Sequence, residues 1–236
     1  MPTLNSLSAA ICINGCPLQE YHSSIEGDTV TAYIDPQDGA EFSVQLHKTA
    51  SQPVCADIML DGIHFYSPVL YDHEIKTTVS GKMVGNNLFR PLMFNKTNPH
   101  GVGYNPDNVH DAVGTIRVKI SFVRIVGAEE AANLQDLKED FTLDDQAHAL
   151  GLSCRSGLGP IREKSSAQWK TVDVQYRHDL PGAEFIFVYR RRGALDILDL
   201  FENFMMSSTP QVNTNHYANG VSNIEMRNVG DDMMMT

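Results

Sequence analysis

Between residues 29 and 46 apolar and polar side chains alternate with a period of two. Val30, Ala32 and Ile34 alternate with Thr29, Thr31 and Tyr33, and Phe42, Val44 and Leu46 alternate with Glu41, Ser43, Gln45 and His47. Successive side chains of a strand point to opposite faces, so this pattern predicts strands with one buried and one wet face. Val54, Ala56, Ile58 and Leu60 repeat it. The apolar stretch 9–13 leads into Asn14-Gly15, and 54–60 leads through Asp61-Gly62 into Ile63-His64-Phe65-Tyr66. Asn-Gly and Asp-Gly readily take the positive φ angles of tight turns, so both read as hairpins. Residues 35–39 (Asp-Pro-Gln-Asp-Gly) read as a turn between strands. Residues 18–22 follow the first hairpin turn, and two weaker strand signals lie near 73–79 and 88–94.

Residues 113–126 form the longest strand signal. Ile116, Val118, Ile120 and Phe122 share one face, Arg117, Lys119 and Ser121 the other. The phase flips at Val123 and Ile125, which predicts a bulge or bend near 122–124. Residues 129–145 are acidic and predict a short helix within an insertion. Residues 151–166 read as a flexible connection. Strand character returns at 169–176, and 183–189 (Ala-Glu-Phe-Ile-Phe-Val-Tyr) is almost continuously apolar, as a strand buried on both faces would be. Residues 194–206 predict a helix with two adjacent stripes, Leu195, Leu198, Phe201 and Met205 beside Ile197, Leu200 and Phe204. From 207 onward the chain is polar and Asn-rich and reads as a tail. The expectation is all-β: a β-sandwich or jelly-roll-like arrangement of antiparallel sheets with a short C-terminal α-helix. One domain spans 1–206, with 127–167 as an acidic, partly helical surface insertion and 207–236 as the tail.

Composition narrows the classes. With 236 residues, 42% hydrophobic and 20% charged, the chain is long and apolar enough to bury a core without staples. A formal net charge of −11 repels phosphate backbones and argues against broad nucleic-acid binding. No stretch reaches a membrane-spanning length, and the first residues show no basic and apolar leader pattern. The expected setting is cytoplasmic, not secreted, with the nucleus left open. The four cysteines, Cys12, Cys16, Cys55 and Cys154, match no zinc or redox spacing. Cys12 and Cys16 flank the Asn14-Gly15 turn, which leaves a disulfide or metal there as the lesser alternative to reduced thiols.

Three segments carry a family resemblance. The first runs from 9–21 (strand, turn, Pro-Leu-Gln-Glu-Tyr) into 28–44 (Asp-Thr-Val-Thr-Ala-Tyr-Ile, then Gly-x-x-Phe-Ser-Val). The second is Ala56-Asp-Ile-Met-Leu-Asp-Gly-Ile, followed by Arg90-Pro-Leu-Met-Phe and Gly114-Thr-Ile-Arg-Val-Lys-Ile. The third is Ala183-Glu-Phe-Ile-Phe-Val-Tyr-Arg-Arg-Arg followed by Ala-Leu-Asp-Ile-Leu. In this order they resemble an uncharacterised family, a domain of unknown function found in many filamentous fungi, over roughly residues 6–204. The resemblance implies a β-rich domain closed by a short helix. It implies no activity, cofactor or catalytic residue. The 129–145 insertion and the tail depart from it.

No nucleophile elbow, phosphate loop, zinc-protease motif or dinucleotide fingerprint is present, so no catalytic residue and no cofactor are assigned. Ser156-Gly-Leu-Gly-Pro lacks the lysine of a phosphate loop. In the 98–111 loop His100, His110 and Asp111 are weak metal candidates, and the loop's Asn, Asp and Tyr104 suit a sugar rim. The same residue types are ordinary loop formers. Arg190, Arg191 and Arg192 end an apolar strand, and a hairpin at Leu180-Pro181-Gly182 would bring Arg177 beside them. Clustered guanidinium groups suit an anion or an acidic partner. The structural alternative is a solvated strand end. Leu195, Leu198, Phe201, Phe204 and Met205 are candidates for self-association. The leading expectation is a non-enzymatic interaction or structural module that self-associates or binds another protein. The alternatives are a carbohydrate- or small-ligand-binding β-sandwich using the 98–111 loop, and an acidic chaperone-like binder of basic proteins.

Overall fold

The structure is a computed structural model. It describes residues 1–85, 87–97, 112–127, 130–131, 147, 150, 152–164 and 170–197. These belong to one compact unit, Met1–Asp199. Its early strands are β1 (Thr3–Leu4), β2 (Leu7–Ile13), β3 (Cys16–Pro17), β4 (Glu20–Glu26), β5 (Thr29–Ile34) and β6 (Phe42–Lys48). Then come β7 (Val54–Leu60), β8 (Ile63–Tyr66), β9 (Val69–Leu70), β10 (Lys76–Val79), β11 (Gly81–Gly85) and β12 (Leu88–Lys96). The second half holds β13 (Thr115–Ile125), β14 (Glu130–Ala131), β15 (Cys154–Leu158), β16 (Arg162–Glu163), β17 (Lys170–Thr171), β18 (Val174–Tyr176) and β19 (Ala183–Tyr189). A short helix, α1 (192–197), follows.

The largest sheet has eight strands, in the order β4-β5-β19-β13-β7-β8, with β18 on β13 and β9 on β7. A five-stranded sheet runs β1-β2-β6-β10 with β3 also on β2, and a four-stranded one runs β11-β12-β15 with β16 on β12. β14 and β17 form a two-stranded ribbon. The sheets are open, so the fold is a sandwich and not a closed barrel. The two smaller sheets meet at a bridge between Glu41 and Met93 and through the Phe94 amide, which donates to the Ala40 carbonyl at 3.0 Å. One apolar core draws on all three sheets. Phe42 stacks on Phe94 at 4.5 Å between ring centroids, and Phe94 meets Tyr189 edge-on at 5.6 Å.

The turn chemistry explains the hairpins. Asn14 and Gly15 have φ of 52° and 77°, Asp61 and Gly62 of 50° and 83°. The alternating segments pair in the register that buries their apolar face: Ala9↔Leu46 and Ile11↔Val44, Ala56↔Ile120 and Ile58↔Val118. Phe122 and Val123 are both buried, where β13 changes partner from β19 to β18. This accounts for the flip in phase.

Three expectations need correction. The segment 151–166 is not a mere connection, because β15 pairs with β12 and Leu152, Cys154 and Leu158 join the core. Its five residues, Cys-Arg-Ser-Gly-Leu, carry no apolar period, and this hid the strand. Residues 183–189 alternate, with Ala183, Phe185, Phe187 and Tyr189 inward and Glu184, Ile186 and Val188 half-buried outward. β19 is central and pairs in parallel with β5, a long-range pairing no local pattern encodes. No hairpin forms at Leu180-Pro181-Gly182. β18 and β19 instead lie one after the other along β13, Tyr176 opposite Val123 and Ala183 opposite Ile120, and residues 177–182 arch out between them.

Candidate functional site: a polar groove on the large sheet

Two charged side chains are sealed inside, and both are already fully engaged. Asp61, 1% exposed, receives the amides of Gly114 (2.7 Å), Thr115 (3.2 Å) and Ser156 (2.9 Å), the Ser156 hydroxyl (3.0 Å) and the Tyr189 hydroxyl (2.6 and 2.7 Å). Burial pushes its carboxyl above the ordinary value, and the donors only partly oppose that. The network ties the β7–β8 turn to β13, β15 and β19. Lys48, also 1% exposed, donates to the carbonyls of Gln52 (2.8 Å), Ala50 and Asp72 (both 3.3 Å), and burial lowers its pKa. Both Asp61 oxygens are engaged as acceptors and the Lys48 ammonium has three carbonyl partners, which suits the two groups to holding loops.

The outer face of the large sheet differs. Thr29, Glu184, Lys119 and Asp57 stand side by side on β5, β19, β13 and β7, each directly opposite the next. Lys119 is exposed and the other three are half-buried. The arch 177–182 rises at one end of this row. Row and arch enclose an open groove of about 780 Å³, lined also by Ser121 and Tyr176. Arg177 is held to Asp179 by two hydrogen bonds, Nε–Oδ1 3.2 Å and Nη2–Oδ2 2.5 Å, which neutralises that part of the wall. Gly182 is required where the arch rejoins the sheet, since a Cβ there would stand 2.6 Å from the Ile120 carbonyl oxygen. A smaller groove, about 450 Å³, lies between β10 and the β8–β9 turn and includes Tyr71, Phe89 and Lys164.

Beside the larger groove runs a relay. The Ser67 hydroxyl donates to Asp57 Oδ1 at 2.6 Å, and His64 Nε2 lies 2.8 Å from Ser67 Oγ. With the serine proton directed at Asp57, His64 Nε2–H is the donor to Ser67. This is not the order of a nucleophilic triad, in which a carboxylate orients the histidine and the histidine takes the serine proton. The relay instead fixes the Asp57 carboxylate at the rim of the groove. The Tyr176 hydroxyl contacts Cys55 Sγ at 4.0 Å, and burial pushes that thiol up to about 11. Cys55 is thus a packed thiol that burial keeps in its protonated form.

The arginine candidates do not converge. The seven-residue strand β19 separates Arg177 from Arg190, Arg191 and Arg192. Arg190 Nη1 donates to the carbonyls of Tyr189 (2.8 Å) and Gly114 (3.3 Å), which caps the strand end. Arg192 pairs with Asp196 at 2.8 Å and lies over the Tyr21 ring at 4.7 Å. Arg191 is exposed. Of the self-association candidates, Leu195 is fully buried within the chain and therefore presents no surface to a second copy. Leu198, Phe201, Phe204 and Met205 lie outside the described residues, as do His100, His110, Asp111 and the whole 98–111 loop. Among the described residues no cluster of three His, Cys, Asp or Glu side chains is placed to hold a metal. All four cysteines are free thiols, with Cys16 exposed and the others buried.

Sequence reasoning placed Lys119 and Ser121 on the wet face of their strand but missed the row they belong to. That row depends on register between strands up to 155 residues apart, from Thr29 to Glu184. Asp61 was read only as a turn former. Its side chain is also the buried carboxylate, and nothing local announces that second role.

No curated protein matches this chain, and no solved structure matches it. No helix among the described residues is long and apolar enough to cross a membrane. Residues 6–203 match the profile of a family described as Domain of unknown function (DUF7918), a span that covers the sandwich and the row on its outer face, and the chain belongs to that family.

Proposed function

We propose that the protein is a non-enzymatic binding module whose ligand sits in the groove on the outer face of the eight-stranded sheet. The observation that carries this reading is the row Glu184, Lys119, Asp57. It places three charged side chains on an open concave surface where solvated strands alone require no wall, and the arch 177–182 supplies one. The volume falls within the range of ligand sites. Among the described residues the two sealed charged groups, Asp61 and Lys48, are taken up by their own hydrogen bonds.

Assembly through strand edges has a weaker footing. β4, at one edge of the large sheet, is bulged between Tyr21 and Ser24 and ends on Glu20 and Glu26, while β8 and β10 have four residues each. Bulges, charge and shortness are the usual protections against edge pairing. The free thiols suit a reducing compartment, and with the resemblance they support a fungal, cytoplasmic protein.

A screen of small polar fragments against the isotope-labelled full chain tests the groove by NMR. The expected result is a set of hits whose amide shifts centre on 119–121 and 177–184. Hits that map consistently elsewhere, or no hits, would overturn the reading.

A further inference from the structure

Resting on the groove as the binding surface, we infer that its ligand is neutral and hydroxyl-rich: a saccharide. The floor alternates in sign, and of the other charged groups on the lining Arg177 and Asp179 pair with each other while Asp28 accepts from the Asn5 side-chain amide at 3.0 Å. Glu184, Lys119 and Asp57 are cross-strand neighbours, about 4.8 Å apart from strand to strand. A carboxylate or phosphate drawn to Lys119 meets a carboxylate on either side. An ammonium group drawn to Asp57 or Glu184 meets Lys119 between them. In both cases the like charge offsets the attraction. A hydroxyl suffers neither penalty, because it donates to a carboxylate and accepts from an ammonium group. Vicinal hydroxyls of one sugar ring satisfy both kinds of partner at once.

The rest of the groove fits the same class. Thr29 extends the row beside Glu184, and Ser121 stands two residues from Lys119 on the same face of β13. Both add hydroxyl partners. The Asp57 carboxylate is oriented by Ser67, so it need not reorganise on binding. The wall adds apolar surface, with Leu180, Pro181 and the Tyr176 ring, which is 42% exposed. Sugars bind through their C–H faces on such surfaces as well as through hydroxyls. A groove of about 780 Å³ has room for a mono- or disaccharide.

The test is a titration of the labelled full chain with glucose, mannose, galactose, N-acetylglucosamine, maltose and cellobiose. Acetate, phosphate and methylammonium serve as charged probes. The expected result is that at least one saccharide shifts the 119–121 and 177–184 amides with a dissociation constant on the order of 1 mM. Lys119→Ala and Asp57→Ala each then weaken binding about tenfold, the exposed Lys119→Ala with unchanged thermal unfolding. If charged probes move those amides and no saccharide does, the saccharide assignment is overturned while the groove survives as the site. If no probe moves them, both fall.

Discussion

The Tyr189 hydroxyl lies 2.6 Å from Oδ1 and 2.7 Å from Oδ2 of Asp61, across 128 residues of chain and out of reach of solvent. Tyr189 also accepts the Ser156 amide at 2.9 Å. One turn, three strands and two sheets, the eight-stranded and the four-stranded, are tied at this point. A hydrogen bond to a buried charge is worth more than a neutral one, and its loss leaves a desolvated carboxylate. Tyr189→Phe is expected to cost about 2 kcal/mol. Asp61→Ala, which strands several donors at once, is expected to cost about 4 kcal/mol. Urea unfolding measures both. Losses under about 0.5 kcal/mol, the level of a surface change, would mean the network does not hold the sheets.

The same carboxyl predicts a pH dependence. Burial raises the folded-state value of Asp61 above that of the unfolded chain, so the folded protein binds the proton more tightly. The associated stability is present at low pH and is lost as pH rises through the folded value. The unfolding free energy of the wild type minus that of Asp61→Asn should therefore fall as pH rises from about 4. A difference that grows with pH over that window would contradict the assignment.

Much of the sandwich was legible because its strands are short, alternating and joined by Asn-Gly and Asp-Gly turns. Those signals are local, and local chemistry sets them. What escaped was non-local. β15 carries Arg155, Ser156 and Gly157 among its five residues, so it lacks an apolar period, and only pairing with β12 makes it a strand. The arch at 177–182 contains Pro181-Gly182, as hairpins do, but β13 is long enough to hold both flanking strands on one edge. The groove row was invisible for the same reason: Thr29, Asp57, Lys119 and Glu184 become neighbours only once the register of four strands is known.

Gly81, the first residue of β11, is under tight constraint. A Cβ there would collide with the Arg90 carbonyl oxygen and the Phe89 ring and would stand 2.8 Å from Pro91 Cα. Two of those obstacles are backbone and cannot rotate away. Gly81→Ala is expected to destabilise by about 3 kcal/mol. Gly193→Ala, with nothing within 4 Å, should change stability little. Thermal unfolding of the two variants decides, and equal midpoints would refute the packing described for β11 and β12.

Thiol reactivity offers a separate check. Cys16 is exposed, while burial pushes Cys55 up to about 11 and Cys154 up to about 12 and raises Cys12 as well. The thiolate is the reacting form. Iodoacetamide at about pH 8 should add one label to the native protein, at Cys16, and four after denaturation. Rapid native labelling of Cys55 or Cys154 would show that the outer sheet face or β15 is more open than described.

A ligand held in the groove beside Lys119 must be displaced by anything that fills that groove. The most direct test compares saccharide-induced amide shifts in the wild type with those in Ser121→Trp, which fills the groove from a half-buried outer position. Shifts at 119–121 and 177–184 are expected in the wild type and should be lost in the variant, with unfolding midpoints within a few degrees. Equal saccharide shifts in both proteins would place binding elsewhere and contradict the groove as the site.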